Sequence, residues 1–373
     1  MSVSILVPDA ESHLSIYVIN SLSQIKDIKI FIMSNEKYTP LRYSRHIHHF
    51  SYYIKSEHAL DWISNINIEI KTHQIDMIMP IFENGIETII KYRNYLKTNK
   101  VCLLPSFKNF EIAKNKWLLS KHLLGNDIPS PRTILYSPQH TFNLEQFTFP
   151  IILKPILETG GGDGVYFFEN SEAFQSHVLK TKIISDQIVQ EYVKGYDIGC
   201  SVLCENGKIL AFTIQKGTML NSNPFRPLLG VKFVFEDDLY KTVEKLMKSL
   251  HWSGVAHIDL KYDAENKMFK VIEINPRFWG SLDASLMAGV NFPYLYCLAS
   301  LNQRFDLPDY KHIDYLNLKG LAKSITKHKS LLFDFNFISK NTPMTLLLLD
   351  PFTTVIKYSL LIKNSVLNKI KMR

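Results

Sequence analysis

Short apolar runs of strand length punctuate the first third of the chain, at residues 3–7, 28–33, 76–81 and 101–104. Residues 13–25, between the first two runs, can form a helix. Strands alternating with helical stretches predict an open parallel α/β sheet. Ligands of such sheets bind beyond the carboxyl ends of the strands. Asp9 follows the first run and Glu83 the third. Both therefore stand at that edge, as ligand contacts or as acids of a turn or helix cap. The first sheet lacks a Gly-x-Gly-x-x-Gly turn, so no nicotinamide or flavin site is read there.

The pattern changes after residue 108. Residues 109–124 read as helical and basic, and Asn126-Asp127-Ile128-Pro129-Ser130-Pro131 breaks them. Strands follow at 151–154, 165–168, 188–193, 198–203 and 209–214. The last two flank Glu205-Asn206-Gly207-Lys208, and Asn-Gly between two apolar strands is a strong hairpin signal. Residues 238–250 form an amphipathic helix. Strands 257–262 and 269–274 pair around the turn 263–267. This half predicts a mixed, largely antiparallel sheet with helices, an α+β layout. From about residue 307 the chain becomes helical and basic.

Composition narrows the picture. A length of 373 residues suggests two or three packed units, and 46% apolar with 21% charged residues argues against disorder. The net charge of +8 invites nucleic acid, a membrane surface or small anions as partners. Part of the excess sits late, at Lys323, Lys327, Lys329, Lys357, Lys363, Lys369, Lys371 and Arg373. Nucleic-acid-binding motifs are absent, so no nucleic acid is expected. Weak membrane-surface contact through the basic C-terminal segment, whose residues 330–349 include LLFDFNF and LLLL, is retained as an expectation. Cys102, Cys200, Cys204 and Cys297 form no Cys-x-x-Cys pair and read as buried small residues. Neither a signal peptide nor a run of about 18 apolar residues is read, and a reducing cytoplasm fits.

Three constellations carry chemistry. In HIDLKYD and FKVIEINPRFWGS, Asp259 and Glu273 occupy adjacent strands of a tight hairpin. Alternation places Glu273 and Asn275 on one face, with Asp259 across from them. Two carboxylates and an amide oxygen are hard ligands suited to magnesium held with phosphate oxygens. Arg277 continues that face and suits a phosphoryl group or a carboxylate. The bland alternative is a surface hairpin with scattered charges, but apolar neighbours bracket Glu273. The second constellation is Lys154-Pro155 followed by Gly160, Gly161, Gly162, Asp163 and Gly164. Closely spaced glycines let backbone N–H groups approach phosphates, and the strand-end lysine adds a point charge. The lysine precedes the glycines, so this is not the Gly-x-x-x-x-Gly-Lys-Ser/Thr loop. The third is Gln190-Glu191-Tyr192-Val193-Lys194-Gly195-Tyr196-Asp197, a strand leaving the sheet at a glycine beside an acid able to hold ribose hydroxyls.

Taken in order, these motifs resemble the ATP-grasp superfamily, in its carboxylate–amine ligase branch with D-alanine–D-alanine ligase, biotin carboxylase and the carbamoyl phosphate synthetase large chain. The resemblance covers roughly residues 1 to 300. It implies an ATP-grasp fold preceded by an open parallel α/β (Rossmann-like) domain. The divisions are 1–108 for that domain, 109–190 and 191–306 for two ATP-grasp subdomains, and 307–373 for a helical, basic extension. It also implies ATP with magnesium, or manganese in its place. By resemblance, Lys116 and Lys154 are nucleotide lysines, and Gly160, Gly161, Gly162 and Gly164 a phosphate lid. Gln190 stands where a glutamate usually meets the adenine amino group. Glu191 and Val193 offer backbone contacts to the base, and Asp197 holds ribose where glutamate is commoner. Asp259, Glu273 and Asn275 take the metal-ligand positions, Arg277 that of the phosphate-stabilising arginine, and Lys216 a loose γ-phosphate position. The implied reaction joins a small carboxylate to an amine through an acyl phosphate, and a homodimer is retained as an expectation. An ATP-dependent carboxylase, a phosphoryl transferase and a non-catalytic nucleotide-binding protein are the alternatives. Arg226, in a loop at 221–226, is a further candidate anchor for a carboxylate. His251 and His257 read as structural or as supports behind the site, and Phe278, Trp279 and Tyr294 as packing residues or pocket lining.

Overall fold

Strand β1 (Val3–Val7) is buried on both faces along its second half, which is why it reads as an unbroken apolar run. It pairs in parallel with β2 (Ile28–Ser34) and β4 (Met77–Ile78), and β2 pairs in parallel with β3 (His49–Tyr52). The sheet order is β3-β2-β1-β4, with helices α1 (Ser15–Leu22), α2 (Ala59–His73) and α3 (Glu83–Lys91) between and after the strands. The computed structural model describes residues 2–137, 147–157, 161–181, 183–357 and 359–360. The chain divides into two compact units, one comprising Met1–Leu104, Arg277–Asp309 and Leu316–Arg373, the other Pro105–Pro276 and Tyr310–Tyr315.

In the first unit, the expected strand at 76–81 shortens to two residues and that at 101–104 to one parallel bridge between Ile78 and Val101. The edge strand β3 escaped the sequence reading because His-Phe-Ser-Tyr is short, polar and half exposed. Asp9 does not cap a helix through its own loop. Its buried carboxylate accepts from the backbone N–H groups of Ile81 and Phe82, at 3.0 Å and 2.8 Å, and so ties the end of β1 to the start of α3. Glu83 is the first residue of α3, where its charge complements the helix dipole.

The second unit opens with two helices where one was expected. Asn115 ends α4 (Phe107–Lys114) in an extended conformation. Its side chain then accepts from the N–H groups of Trp117 and Leu118, both at 3.0 Å, and caps α5 (Lys116–Gly125). Strands β5 (Thr133–Tyr136), β6 (Ile151–Pro155), β7 (Tyr166–Phe168) and β8 (Gln187–Glu191) form an antiparallel sheet in the order β5-β8-β6-β7, with α6 (Ser171–Lys180) packed on β7. A second sheet has the order β13-β12-β9-β10-β11-β14. Its members are β9 (Gly195–Glu205), β10 (Lys208–Met219), β11 (Gly230–Val234), β12 (Gly254–Asp263), β13 (Met268–Asn275) and β14 (Asp314–Leu316). β9 and β10 form the hairpin expected at Asn206-Gly207. Helix α7 (Asp237–Ser249) lies against β9, β10 and β13 and buries Leu239, Val243, Leu246 and Met247, at helical spacing. Apolar residues of β9, β10 and β12, including Ile198, Cys200, Val202, Ile214 and Ile258, are buried with them. All four cysteines are free and buried, as expected.

The chain then completes the first unit with α8 (Leu282–Met287) and α9 (Phe292–Ser300), where Phe278 and Trp279 are buried packing residues. Helices α10 (Leu318–Lys327), α11 (Phe335–Asn341) and α12 (Met344–Leu349) follow β14, a strand the helical reading of this region did not foresee. No helix among the described residues is long and apolar enough to cross a membrane. Lys363, Lys369, Lys371 and Arg373 lie outside the described residues.

Burial makes two acids of this unit sensitive to pH. Desolvation pushes the carboxyls of Asp9 and Asp283 up to about 7. In the folded chain both hold a proton between pH 4 and 7 that the unfolded chain has released. Their contribution to stability is full below about pH 4 and is lost as the pH rises through about 7. Asn at both positions mimics the protonated acid. The Asp9→Asn/Asp283→Asn variant is therefore expected to match the parent in urea midpoint at pH 4 and to exceed it at pH 8. Equal midpoints at pH 8 would contradict the assignment.

Candidate active site

The face of the β12–β13 hairpin is set by a bulge. Asp259 pairs with Glu273 and His257 with Asn275, but Leu260 pairs with Val271, so Ile272 is an extra residue. Without it, Glu273 and Asn275 would share the face of buried Phe269 and Val271. With it, they turn to the opposite face and join Asp259, His257 and Lys261. The register of β9 and β10 adds Asp197, Ser201, Thr213 and Gln215 to this face. The sheet thus has an apolar side under α7 and a polar side carrying the acids.

The polar side is cross-linked. The Asn275 amide donates to Asp259 Oδ2 at 2.8 Å. His257 Nε2 lies 3.3 Å from Asp259 Oδ1, and its Nδ1 lies 2.8 Å from the Ser201 hydroxyl. A proton on Nε2 suits the carboxylate and makes Nδ1 the acceptor for Ser201. His257 therefore orients Asp259. Asp197 pairs with Lys261 at 3.0 Å.

Two lysines reach this face from the other elements of the unit. Lys116, placed in the first turn of α5 by the Asn115 cap, sits with Nζ 3.2 Å from Glu273 Oε2. Lys154, on β6, is buried. Burial holds its ammonium down to about 8, against the attraction of Glu273 and Asp259 and with help from the charge of Lys116. Asp259, Glu273, Asn275, Lys116 and Lys154 are thus brought together from four separate stretches of sequence. Oxygen donors beside buried cations match magnesium bound with phosphate, and they do not match zinc or iron chemistry.

Known proteins carry the same arrangement of elements. A family profile described as "ATP-grasp in the biosynthetic pathway with Ter operon" matches residues 184–349. The D-aspartate ligase of Enterococcus faecium (strain Aus0004) is 25% identical over 214 residues, 51% of this chain, and the chain spans 50% of that enzyme. Among solved structures, the L-amino acid ligase of Bacillus licheniformis aligns with a TM-score of 0.61 at 18% identity, over 80% of this chain and 74% of that one. N5-carboxyaminoimidazole synthetase of Staphylococcus aureus complexed with ADP aligns with a TM-score of 0.68 at 16% identity, over 89% of this chain and 86% of that one. The chain has the ATP-grasp fold.

Within this ATP-grasp fold the remaining expected residues are distributed unevenly. Gln190 is buried on β8 and donates to the Thr133 hydroxyl at 2.8 Å. Glu191 exchanges contacts with Arg132, whose N–H it accepts at 3.2 Å, and Val193 is buried beyond the strand end. Gly160 lies outside the described residues. Gly161, Gly162 and Gly164 all have left-handed φ, and a side chain on Gly162 would strike the Phe225 carbonyl. Asp163 pairs with Arg226 at 2.6 Å. The glycine segment is therefore joined to the 221–226 loop, which binds Arg226 to Asp163 rather than to the acids of the sheet.

Lys216 is a correction in geometry. It pairs with Ile198, so its side chain leaves the face opposite Asp259, and its ammonium stands 3.6 Å over the Tyr196 ring. The sequence pattern puts it just past a strand ending at 214, but β10 runs on to Met219, and the parity within that strand turns its side chain away. Arg277 belongs to the first unit, where it is buried, 3.2 Å from Glu83 and donating to the Phe278 carbonyl at 2.9 Å. Sequence reasoning missed Ser201, Thr213, Gln215 and Lys261. Their signal was available as polar residues at every second position of strands otherwise apolar.

Proposed function

We propose that this chain is an ATP- and magnesium-dependent ligase that joins a carboxylate to an amine. The observation carrying the proposal is the ring of Asp259, Glu273 and Asn275 beside Lys116 and Lys154. In this reading Asp259, Glu273 and Asn275 hold magnesium, which when bound neutralises phosphate charge. Lys116 and Lys154 hold the α- and β-phosphates, and His257 and Asn275 fix the Asp259 carboxylate. Glu191 and Val193 offer the base their backbone, and Asp197 meets the ribose. A substrate carboxylate takes the γ-phosphoryl group, ADP leaves, and an amine displaces phosphate from the acyl phosphate to form an amide. The protein's contribution is positioning and charge. Lys216 has no part in this reading, and the nucleotide assignment rests on residues of the second unit alone.

The names of the D-aspartate and L-amino acid ligases support an amino acid as the carboxylate or the amine. Free buried cysteines support a reducing compartment, the cytoplasm. The test is incubation with ATP, magnesium and pooled amino acids, following ADP and trapping with hydroxylamine. ADP release that requires an amino acid, with a hydroxamate product, supports the ligase. Release that requires bicarbonate instead favours carboxylation, and ATP turnover independent of any carboxylate refutes the acyl-phosphate route.

Lys154 supplies a second check. Bound phosphate raises the proton affinity of a nearby ammonium. Since Lys154 is held down to about 8 in the free chain, nucleotide binding near pH 8 is expected to take up protons. At pH 6 the lysine is already charged and no uptake from it follows. Calorimetry in buffers of different ionisation enthalpy measures this. Lys154→Arg, permanently charged, should abolish it. Uptake that persists in that variant assigns the proton elsewhere.

A further inference from the structure

The first unit holds a cluster that the nucleotide chemistry does not use. His49 stands at the start of the edge strand β3, and Glu69 and His73 lie one helical turn apart at the end of α2. One ligand atom from each lies within 4.8 Å of the other two. Glu69 Oε2 and His73 Nε2 are 3.6 Å apart. The imidazoles of His49 and His73 have ring centroids 4.3 Å apart, and Phe31 packs against both.

Glu69 is the informative member. It is only 3% exposed, on a helix face otherwise buried through Ile63 and Ile66. Its Oε1 accepts from the Tyr53 hydroxyl at 2.6 Å. Its Oε2 is buried with no hydrogen-bond donor among the described residues. Burying a carboxylate oxygen without a donor is costly, so a cation is the fitting partner. Two routes supply one: a proton on His73, or a metal ion shared by all three side chains.

We propose that His49, Glu69 and His73 form a site for a divalent transition-metal ion of the zinc class. Ligand atoms about 2.0–2.2 Å from a tetrahedral ion are about 3.4 Å from each other. The Glu69–His73 pair already has nearly that spacing, and exposed His49 closes the remaining distance by side-chain rotation. Two imidazoles and one carboxylate leave a fourth position open, as in catalytic zinc sites. The same set disfavours magnesium, which prefers oxygen. Tyr53 supplies the hydrogen bond that orients a ligating carboxylate. The His73-proton alternative needs neither His49 nor any metal.

The test uses the full chain after dialysis against a chelator. Cobalt(II) is titrated in and visible absorption recorded, with zinc and excess magnesium as competitors. One cobalt per chain is expected, with the intense bands of a four-coordinate ion, displaced by zinc and retained in magnesium. His49→Ala, an exposed position, and His73→Ala should each remove the bands. Tyr53→Phe should weaken binding by about 10–100-fold. A parent that binds no cobalt, a His49→Ala variant with the parent's spectrum, or bands lost in Asp259→Asn instead would each overturn the proposal.

Discussion

Asp259→Asn and Glu273→Gln should each lower kcat/KM for ATP-dependent ADP release by about 10²–10³-fold, the loss typical of a preorganised electrostatic contact. Each change keeps the shape and deletes one charge. Neither side chain is deep in the core, since Asp259 is 44% and Glu273 27% exposed at the side chain, so the fold should tolerate both. The two variants should nevertheless differ. Asn at 259 still accepts from Asn275, whereas Gln at 273 takes from Lys116 its counter-charge at 3.2 Å. Glu273→Gln should therefore also weaken ADP binding in the absence of magnesium less than it weakens turnover, because the freed Lys116 ammonium remains for phosphate. The magnesium concentration for half-maximal rate should rise in both. Turnover at the parental rate in Asp259→Asn would remove the metal assignment and with it the nucleotide reading.

How much of this site was legible turns on one residue. Asp259 and Glu273 were placed opposite each other from the hairpin alone, and spacing by two put Asn275 beside Glu273. Which side of the sheet they face was not legible, because it depends on the bulge at Ile272 and an apolar residue in a strand gives no sign of being the extra one. The same limit explains Lys216. It was read just past its strand, which in fact runs on to Met219, and within a strand a one-residue parity decides whether a side chain meets the acids or the Tyr196 ring. Lys116 shows the opposite case. Asn115 is an ordinary helix-capping residue, and recognising it would have split the helix read at 109–124 and set the lysine at a helix start. In the first unit, β1 and β2 were visible because burial on both faces makes a strand continuously apolar. The polar edge strand β3 lacks that signature, and with it went His49.

Gly195→Ala should be the most destabilising single methyl in the second unit. Gly195 pairs with Asp263 where β9 meets β12, and a Cβ built on it would lie 1.7 Å from the Tyr262 carbonyl oxygen. That oxygen belongs to backbone, so no rotamer relieves the clash and the strands must separate. Overpacking usually costs about 1–3 kcal/mol, and a backbone obstacle puts this case at or above the upper end. The separation also has a direction. β12 continues from Tyr262 to Asp259 and Lys261 pairs with Asp197, so spreading the two strands displaces the acids of the polar face. A lower urea midpoint with unchanged m-value should therefore accompany weaker ADP binding, even in the fraction that remains folded. Gly125→Ala is the matched control. It adds the same methyl at the end of α5, where nothing among the described residues lies within 4 Å, and helix propensity favours alanine there by up to about 1 kcal/mol. If Gly195→Ala stays within about 0.5 kcal/mol of the parent, the β9–β12 contact is not the tight join between these two strands.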